Sequence, residues 1–334
     1  MLLAAGCSEP RPAPLPRLVI DPDRVAVAGL SSGAYMATQT HFAWSDHLRG
    51  AGLVAGGPYG CADGKMETAL GPCMIADPGA PDVDALAASL VRRAEQGDIA
   101  PLAGLARDRV HVSHGTGDRI VNPVVSRASA MLYEKLGGAD QAPAVHWDGE
   151  RAFGHLMPTV DAGVDCVAGG SPYLGACGWD AAGEQLAWIF GDAPVPAAAA
   201  TGELRRFDQD VLLADGQDAQ LAADGFLYVP AACAAGETCG ALVVFHGCEQ
   251  NEEKVGEAFV RDAGYNRWAD VHRLVVLYPQ VRSSYLPLNP KACWDWWGYT
   301  GPDYDTRRGA QQRWLAAAMA ALGAPLDAGA PPAP

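Results

Sequence analysis

The segment from Val25 to Ala37 reads VAVAGLSSGAYMA and contains the chain's single Gly-x-Ser-x-Gly pattern, with Ser31 at its centre. A serine in this pattern stands on a sharp turn from strand to helix, where side chains at the flanking glycines would clash. Apolar residues precede it and a helix-like stretch follows, which is the context that the pattern requires. We therefore predict that Ser31 is a nucleophile; a glycine-rich turn without chemistry is the alternative.

A serine hydroxyl needs a histidine base and a carboxylate that orients the base. In α/β hydrolases the acid follows the serine and the histidine comes last. The run RVHVSHGTGDRIVNP places Asp118 just after a strand-like stretch, and AFGHLMPT places His155 after the next one. Because parallel strands end at one rim of a sheet, both side chains should face the serine. The predicted triad is Ser31, Asp118 and His155.

Other residues could take these two roles. Asp118 could simply cap the helix that follows it, and Asp148 and Asp161 are rival acids. A histidine within a strand is more often a satisfied core residue than a base. The rival histidines on or near predicted helices and strands are His41, His47, His111 and His146, and the two that end strands are His114 and His246.

A second motif, LVVFHGCEQN at 242–251, is an apolar strand that runs into His246, Gly247 and Cys248. In the usual order a His-Gly motif of this kind precedes the nucleophile and supplies a backbone N–H for the oxyanion. We predict that the N–H groups of Ser32 and Cys248 form the oxyanion hole. Preorganised donors of this kind contribute several kcal/mol, on the order of 3 for each donor.

The order of these motifs indicates a circularly permuted chain. The nucleophile, acid and base lie in the first half, and the oxyanion strand lies in the second half. The amphipathic helix at 306–322 would, in a conventional hydrolase, lead into the strand before Ser31, and termini that lie close together permit such a rearrangement. We expect one permuted domain over 18–325 with an internal Pro- and Ala-rich linker at 191–204, a leader and tether over 1–17, and a tail over 326–334.

The elements that must position these residues alternate between strands and helices. Several strand candidates are apolar throughout, as expected for strands buried on both faces of a parallel sheet. The alternation predicts an α/β fold of the α/β-hydrolase type, with a mostly parallel sheet and helices on both faces. Strands are predicted at 24–30, 50–57, 109–115, 144–149, 241–247 and 273–279, and helices at 33–44, 82–96, 122–136, 181–190, 254–272 and 306–322.

Composition narrows the partners. The chain has 334 residues, 49% of them hydrophobic, which favours a folded domain over disorder. Its net charge of −15 argues against binding to nucleic acid or anionic lipid, because like charges repel. No apolar run is long enough to span a bilayer. We expect a monomer that acts on an ester substrate.

Eight of the nine cysteines lie in or beside the predicted domain's loops and lack the paired C-x-x-C spacing of a zinc site. This favours disulfides in an exported protein; reduced cysteines in a cytosolic enzyme are the alternative. Eight cysteines allow about 105 pairings, so the sequence does not fix connectivity. Proximity in the loops favours Cys61–Cys73, Cys166–Cys177 and Cys233–Cys239, which leaves Cys248–Cys293.

The ninth cysteine, Cys7, ends the segment MLLAAGC and precedes a Pro-rich run. Leu-Ala-Ala-Gly-Cys resembles the lipobox of bacterial lipoproteins, although the basic and hydrophobic segments that should precede it are nearly missing. Cys7 is therefore a candidate for lipidation, and the tail of an ordinary signal peptide is the alternative. Both interpretations predict export, to the medium or to the periplasm and outer membrane as a lipoprotein.

Five segments carry a resemblance to a known family: DPDRVAVAGLSSGAYMA, HGTGDRIV, FHGCEQN, LYPQ and NPKACWDWWGY. They resemble the polyhydroxybutyrate depolymerases and related esterases of the circularly permuted, single-domain type, and the resemblance extends from Leu18 to Leu322. It implies the same triad, Cys248 as the second oxyanion donor, a tryptophan-rich loop along the substrate crevice, and neither a metal nor an organic cofactor.

Within that loop we expect substrate contacts from Trp294, Trp296, Trp297 and Tyr299, although aromatic residues this dense can also be core. Tyr285 and Tyr304 are weaker candidates. The sequence thus predicts a secreted or envelope-anchored serine esterase that hydrolyses short-chain polyhydroxyalkanoate such as poly-3-hydroxybutyrate. A carbohydrate esterase of the feruloyl or acetyl xylan type is the alternative, and a non-catalytic envelope binding protein on the same fold is less favoured.

Overall fold

The computed structural model of the chain describes residues 11–136, 143–213 and 217–326. Cys7, the candidate for lipidation, lies outside these residues, as do positions 327–334 of the predicted tail. No helix among the described residues combines the length and apolar character that a bilayer span requires.

Strands and helices alternate along the described chain, as the sequence predicts. The strands are β1 (Ile20–Leu30), β2 (Gly50–Val54), β3 (Arg109–Ser113), β4 (Ala144–Asp148), β5 (Met157–Thr159), β6 (Val164–Asp165), β7 (Leu174–Ala176), β8 (Glu203–Asp208), β9 (Asp224–Val229), β10 (Cys239–Phe245), β11 (Leu274–Tyr278), β12 (Ser284–Tyr285) and β13 (Leu288–Asn289). The α-helices are α1 (Ser32–Ala43), α2 (Met66–Leu70), α3 (Val83–Glu95), α4 (Pro123–Leu136), α5 (Ala181–Phe190), α6 (Ala231–Ala234), α7 (Glu252–Val255), α8 (Ala258–Asp262), α9 (Tyr265–His272) and α10 (Ala310–Leu322).

The central sheet has eight strands in the order β4-β3-β2-β1-β10-β11-β9-β8. The first six run parallel, and β9 and β8 continue the sheet in antiparallel fashion. The middle strands are buried on both faces, because successive side chains of β1 and β10 enter two different hydrophobic clusters. The prediction of an α/β fold with a mostly parallel sheet is confirmed.

The sheet also has the permuted strand order that the sequence predicts. Counted from β8 and continued through α10 into β1, the strands across the sheet read 1-2-4-3-5-6-7-8. The end of α10 meets the start of β1, where Leu18 N donates to Leu322 O at 2.9 Å. Strands β1 and β10 lie side by side with Gly29 opposite Phe245, so the segments that carry Ser31 and Cys248 are neighbours in the middle of the sheet.

Two parts of the pattern differ from the sequence prediction. Strands β8 and β9 were not predicted, and β8 begins at Glu203, inside the predicted linker; the connection without helix or strand is 191–202. The sequence of β8, ELRRFD, lacks the alternation of apolar and polar residues that marks a half-buried strand. Its charged residues fit its position at the edge of the sheet. The helix predicted at 254–272 is divided into α7, α8 and α9, and its breaks contain Gly256 and Gly264 with φ of 61° and 93°.

Four disulfides lie among the described residues, and they are the pairs that the loop positions favour. The bridges are Cys61–Cys73, Cys166–Cys177, Cys233–Cys239 and Cys248–Cys293. Three of them join cysteines 6 to 12 residues apart in the chain, whereas the fourth joins cysteines 45 residues apart.

Candidate active site

Ser31 stands on the turn between β1 and α1 with φ of 57° and ψ of −123°. A side chain in this region of backbone space is strained, and such strain is typical of a nucleophile held on an elbow. A Cβ atom added to Gly29 would overlap Gly33 O, and one added to Gly33 would overlap Phe245 O. Both glycines of the pattern are therefore required by close backbone approach, the second one by the strand that leads to Cys248.

Asp118 and His155 are brought together as an acid and base pair. His155 Nδ1 donates to Asp118 Oδ2 at 2.7 Å, and Asp118 Oδ1 accepts from the backbone N–H groups of Ile120 and Val121 at 2.8 and 3.0 Å. The Asp118 side chain is fully buried, and that of His155 is 10% exposed. With Nδ1 occupied by the carboxylate, Nε2 of His155 is the nitrogen left for a reacting group.

The two loops that carry this pair are joined through their backbones. Thr116 N donates to Arg151 O at 2.9 Å, and Gly117 N donates to Phe153 O at 3.0 Å. These bonds lie one to two residues before the acid and two to four residues before the base. The spacing between the two side chains is therefore set by backbone hydrogen bonds rather than by flexible side-chain contacts.

The electrostatics keep the acid ionised. Burial alone would raise the pKa of Asp118, but the hydrogen bond and charge of His155 and the two backbone N–H groups outweigh it and hold that pKa below its usual range. His114 lies behind the pair, with Nε2 3.8 Å from Asp118 Oδ2 and Nδ1 2.8 Å from Ser126 Oγ. Burial lowers the pKa of His114, so it is neutral at neutral pH and does not compete for the carboxylate.

The two predicted oxyanion donors lie beside the nucleophile. Ser32 opens α1, where the first N–H groups of a helix have no acceptor within the helix. On the other side, a Cβ atom added to Gly247 would lie 3.5 Å from Ser31 Cβ, which brings the turn that carries Cys248 against the elbow. Ser32 and Cys248 thus follow the ends of two neighbouring strands, β1 and β10, close to Ser31.

The turn after β10 leaves the N–H group of Cys248 unused. Gly247 N donates to Gln250 Oε1 at 2.8 Å, Gln250 N donates to Gly247 O at 3.3 Å, and Glu249 N donates to Lys291 O at 2.6 Å. Cys248 N, which lies between them, has no acceptor among the described residues. This is the arrangement expected of a donor that is reserved for a ligand.

His246 supports this turn and is not a base. Its Nδ1 donates to Gly247 O at 2.7 Å, and its Nε2 accepts from Val281 N at 3.2 Å. Complete burial lowers the pKa of His246 to about 4, so the ring stays neutral. Both nitrogens are occupied by backbone groups, which leaves neither for proton transfer.

The other rival residues have partners elsewhere or lie apart from Ser31. His41 is buried between Asp108 at 3.0 Å and Tyr133 at 2.9 Å. His111 and His146 face each other on neighbouring strands, with ring centroids 4.8 Å apart. Asp148 pairs with Arg151 at 3.1 Å, Asp161 is exposed, and His47 is part-exposed beside Asp46.

His155 and Cys248 line a cavity of about 510 Å³. One side of the cavity is apolar and comes from α2 and the residues that follow it, a segment that the sequence prediction did not identify. The other side comes from the loops after β10 and β13. The lining on the first side includes Met66, Ala69, Leu70, Met74 and Ile120, and on the second side Glu249, Lys291 and Cys293, with Tyr173, Leu288, Asn289, Pro290, Trp296 and Trp297 completing the walls.

The tryptophan-rich loop divides into two roles. Trp296 and Trp297 line the cavity, as predicted, and Trp296 stacks on Tyr35 of α1 with ring centroids 4.4 Å apart. Tyr35 is itself anchored, because its hydroxyl donates to Cys73 O. The indole of Trp296 is therefore held in a fixed plane beside the helix that follows the nucleophile.

Trp294 and Tyr299 are absent from the lining of this cavity, so the structure does not place them with Trp296 and Trp297, and their contact with substrate stays a prediction. Trp294 is 1% exposed and packs edge-on against Phe245, and its backbone N–H donates to Ser32 Oγ at 3.3 Å. The Tyr299 hydroxyl donates to Cys293 O at 2.7 Å. Both side chains support the loop from behind. Of the weaker candidates, Tyr304 is buried and Tyr285 is exposed away from the lining.

Asp295, which sequence reasoning passed over, organises this loop. Its carboxylate accepts from the N–H groups of Gly298, Tyr299 and Thr300 at 2.7 to 2.9 Å, and from the Thr300 hydroxyl at 2.6 Å. Burial nevertheless raises the pKa of Asp295. An aspartate three residues before a glycine is a known signal for a turn that its side chain caps, and this signal could have identified it.

Within the described ranges, no group of three or more His, Cys, Asp or Glu side chains is placed to hold a metal ion. The cavity is lined by a carboxylate-bound histidine and by Cys248, whose N–H is free, and the strained Ser31 lies against the turn that carries Cys248. The chemistry of this arrangement is attack on a carbonyl carbon with stabilisation of the resulting oxyanion.

No protein-family profile matches the chain. A poly(3-hydroxybutyrate) depolymerase of Delftia acidovorans is 38% identical over 318 residues, which cover 94% of this chain and 61% of that protein. A polyhydroxybutyrate depolymerase of Talaromyces funiculosus is 34% identical over 326 residues, which cover 93% of this chain and 92% of that protein.

A solved structure gives the same answer for the fold. A PHB depolymerase, determined as a serine-to-alanine variant with an R3HB trimer, superposes with a TM-score of 0.84 at 30% identity and covers 93% of this chain and 98% of that one. The chain spans 61% of the length of the Delftia relative and nearly the whole of the Talaromyces relative. This chain belongs to the polyhydroxybutyrate depolymerase family.

Proposed function

We propose that this chain is a serine esterase that hydrolyses the ester bonds of short-chain polyhydroxyalkanoate, with poly-3-hydroxybutyrate as its substrate. The observation that carries the proposal is the buried Asp118–His155 pair, joined at 2.7 Å, at a cavity whose opposite lip offers the unused Cys248 amide. The R3HB trimer held by the related depolymerase supports the choice of polyester.

In the acylation step, Ser31 Oγ attacks the ester carbonyl carbon while His155 Nε2 takes the hydroxyl proton. The negative carbonyl oxygen accepts from the N–H groups of Ser32 and Cys248, each worth on the order of 3 kcal/mol. The bond from carbon to the alcohol oxygen then breaks, and His155 returns its proton to that oxygen. Asp118 holds the imidazole in the required tautomer throughout.

In the deacylation step, water attacks the acyl carbon and gives its proton to His155. The same two N–H groups stabilise the second oxyanion. The bond to Ser31 Oγ breaks, the serine regains a proton, and the free carboxylic acid leaves. No group outside this chain and one water molecule is needed to balance the reaction.

The lining of the cavity supports an aliphatic ester over a sugar. A polyhydroxybutyrate repeat presents a methyl branch and two methylene or methine carbons for each ester, and it is matched by the apolar side formed by Met66, Leu70 and Ile120. A sugar needs several hydrogen-bonding side chains, and Asn289 at the cavity spends both its amide groups on Cys293 N and O at 2.9 Å.

The proposal includes export to an oxidising compartment, which the four disulfides favour. A lipid anchor on Cys7 would come in addition, and labelling with radioactive palmitate of the wild type and of Cys7→Ser tests it. We also propose that the enzyme acts as a monomer, and the molecular mass measured by light scattering tests this.

The function is tested by clearing of a polyhydroxybutyrate emulsion, with 3-hydroxybutyrate products measured by chromatography. Clearing that is lost in Ser31→Ala supports the proposal. Release of ferulate from arabinoxylan or of acetate from acetyl xylan, without clearing, would assign a carbohydrate esterase instead. A purified protein that turns over none of these esters and takes up no fluorophosphonate label would indicate a binding protein.

A further inference from the structure

Gln250 is 1% exposed and uses both ends of its side-chain amide. Its Oε1 accepts from Gly247 N at 2.8 Å. Its Nε2 donates to Tyr173 O at 3.0 Å and to Pro172 O at 3.1 Å. A single side chain therefore joins the turn after β10 to the segment before β7, which are about 75 residues apart in the chain and meet at the cavity.

The first end of Gln250, Oε1, holds the peptide between His246 and Gly247, which directly precedes the peptide of the Cys248 N–H. The C=O of Gly247 and the N–H of Cys248 belong to one planar trans peptide and point in opposite directions. Gly247 O is held by His246 Nδ1 at 2.7 Å and by Gln250 N at 3.3 Å, and Gly247 N is held by Gln250 Oε1. His246 Nδ1 and the backbone N–H of Gln250 fix the carbonyl on one side, so the N–H of Cys248 is aimed to the other side. The side chain of Gln250 contributes by holding Gly247, the residue directly before this donor.

The second end of Gln250 is linked to the segment that carries His155 through the carbonyl of Tyr173. Tyr173 O, which accepts from Gln250, also accepts from Met157 N at 2.9 Å, and Met157 follows His155 by two residues. The carbonyl is thus shared between the two segments. Tyr173 has a φ of 59° and lines the cavity, so its backbone is held in a conformation that needs such support.

We propose that Gln250 is a positioning residue that aims the Cys248 N–H at the oxyanion and fixes its distance from His155, an inference that rests on the proposed esterase function. Gln250 is 1% exposed and both ends of its amide are taken by backbone groups, so we assign it no contact with the substrate. A glutamate cannot donate to the two carbonyls, and methionine keeps the shape but loses all three bonds.

The chain offers a matched control in Gln209. This side chain is also fully buried, its Nε2 donates to Ala222 O and Gln280 O at 2.7 and 3.0 Å, and its Oε1 accepts from Gln280 N at 3.1 Å. It has the same number and kind of bonds as Gln250, but it lies beside β8, outside the cavity lining. Gln209→Met therefore reports what the loss of three buried hydrogen bonds does when Gly247 and Tyr173 keep theirs. Its link to the turn after β10 passes through Gln280, Val281 and His246.

The experiment compares wild type, Gln250→Met, Gln250→Glu and Gln209→Met on p-nitrophenyl butyrate and on its thiono analogue, in which sulfur replaces the carbonyl oxygen. Sulfur accepts hydrogen bonds weakly, so the rate ratio of the two esters reports the oxyanion donors. We expect both Gln250 variants to lose roughly 10- to 100-fold in kcat on the oxygen ester, with KM nearly unchanged. The ratio of kcat on the oxygen ester to kcat on the thiono ester should fall by about as much. Gln209→Met should lower Tm and keep the ratio.

A second readout covers a variant that proves too unstable for kinetics over a full range. A trifluoromethyl ketone adds to the serine and forms an oxyanion, and its inhibition constant should rise in parallel with the loss of kcat. An unchanged ratio and an unchanged inhibition constant in Gln250→Met would overturn the positioning role, because the bonds would then serve folding only. Inactivity of the wild type toward both esters would instead overturn the proposed function, and the positioning role with it.

Discussion

The two sides of the cavity are held in different ways. One side, called here the donor wall, comprises residues 246–250 and 289–297; the other, called the apolar wall, comprises 66–74 and Ile120. In the donor wall nearly every backbone group near Cys248 has a partner, and a disulfide joins the two segments. The apolar wall is tied down by Cys61–Cys73, by Tyr35 on Cys73 O and by Asn122 N on Met74 O at 2.8 Å.

The difference follows from what each wall has to do. An N–H group that stabilises an oxyanion must keep its position to within a fraction of an ångström and its direction to within about 10–20°, so the donor wall needs many directional bonds. An apolar chain needs area without direction, so the apolar wall can present Met66 and Leu70 at 38% and 47% exposure with little bonding around them. Damage to the donor wall should therefore lower kcat, and damage to the apolar wall should raise KM.

The largest effect is expected at Ser31, the proposed nucleophile. Ser31→Ala removes the attacking oxygen, and kcat should fall by roughly 10⁵- to 10⁶-fold. Ser32→Ala keeps its backbone N–H but loses the bond from Trp294 N at 3.3 Å, so the loss should be about tenfold or less. Rates on p-nitrophenyl butyrate measure both. A larger loss in Ser32→Ala than in Ser31→Ala would assign the nucleophile to the second serine.

The next largest effect is expected at the acid. Asp118→Asn keeps the size of the side chain but leaves His155 Nδ1 without a carboxylate, which favours the wrong tautomer. We expect kcat to fall roughly 10³- to 10⁴-fold, with KM little changed. Asp161→Asn, at the exposed rival acid, is the matched control and should keep the wild-type rate. Equal losses in the two variants would remove Asp118 from the triad.

The triad and the turn that carries Cys248 were readable in the sequence, and the apolar wall was not. A nucleophile on an elbow and a His-Gly turn after an apolar strand need particular residues at fixed spacings, so Ser31, Asp118, His155 and Cys248 could all be named from motifs. Met66, Leu70 and Met74 follow no such rule. They lie in a five-residue helix and a short irregular turn whose place is set by tertiary contacts and one disulfide.

The sheet shows the same contrast. All six parallel strands were predicted. The strands inside the sheet are mostly apolar because both of their faces are buried, whereas β4 lies at the edge and is partly exposed. The edge strand Glu203–Asp208 carries charges that hide it, whereas β9, with the buried run FLYV, carries the same apolar signal as the predicted strands and was overlooked. The burial of Trp294 could not be read in advance, since the sequence shows where aromatic residues cluster but not which ring turns inward.

A direct test of the two walls is to remove one disulfide from each. By the chain-entropy relation, Cys248→Ala with Cys293→Ala should cost about 4 kcal/mol of unfolding free energy, and Cys61→Ala with Cys73→Ala about 3 kcal/mol, because the first loop is longer. The first pair should also lower kcat, by less than the roughly 100-fold that a lost donor costs. The second should raise KM for hydroxybutyrate oligomers and keep kcat.

Denaturant unfolding and steady-state kinetics on both double variants provide the measurements. Cys233→Ala with Cys239→Ala serves as the control, because that bridge lies at the far end of β10 and touches neither wall. It should reduce stability and leave both kinetic constants unchanged. If the two wall variants shift kcat and KM alike, the division of labour between the walls is wrong.

The smallest effect is expected in the stability of the donor wall at low pH, through His246. His246 is buried and neutral there, with a pKa lowered to about 4, whereas an unfolded histidine titrates near its ordinary value of about 6.5. Between these values the unfolded chain binds a proton that the folded chain does not, so the stabilisation is complete above pH 6.5 and is lost as the pH falls toward 4. From pH 7 to pH 5 this amounts to roughly 1–2 kcal/mol.

His111, with a pKa lowered to about 3, acts in the same direction but cancels when wild type is compared with His246→Asn. The Asp118 carboxyl, with its pKa below the usual range, contributes only under more acidic conditions. The unfolding free energy of the wild type should therefore fall by that amount more than that of His246→Asn between pH 7 and pH 5, as measured by urea unfolding at each pH. Parallel curves for the two proteins would mean that folding does not lower the pKa of His246, and the turn that holds the Cys248 amide would then need a different support.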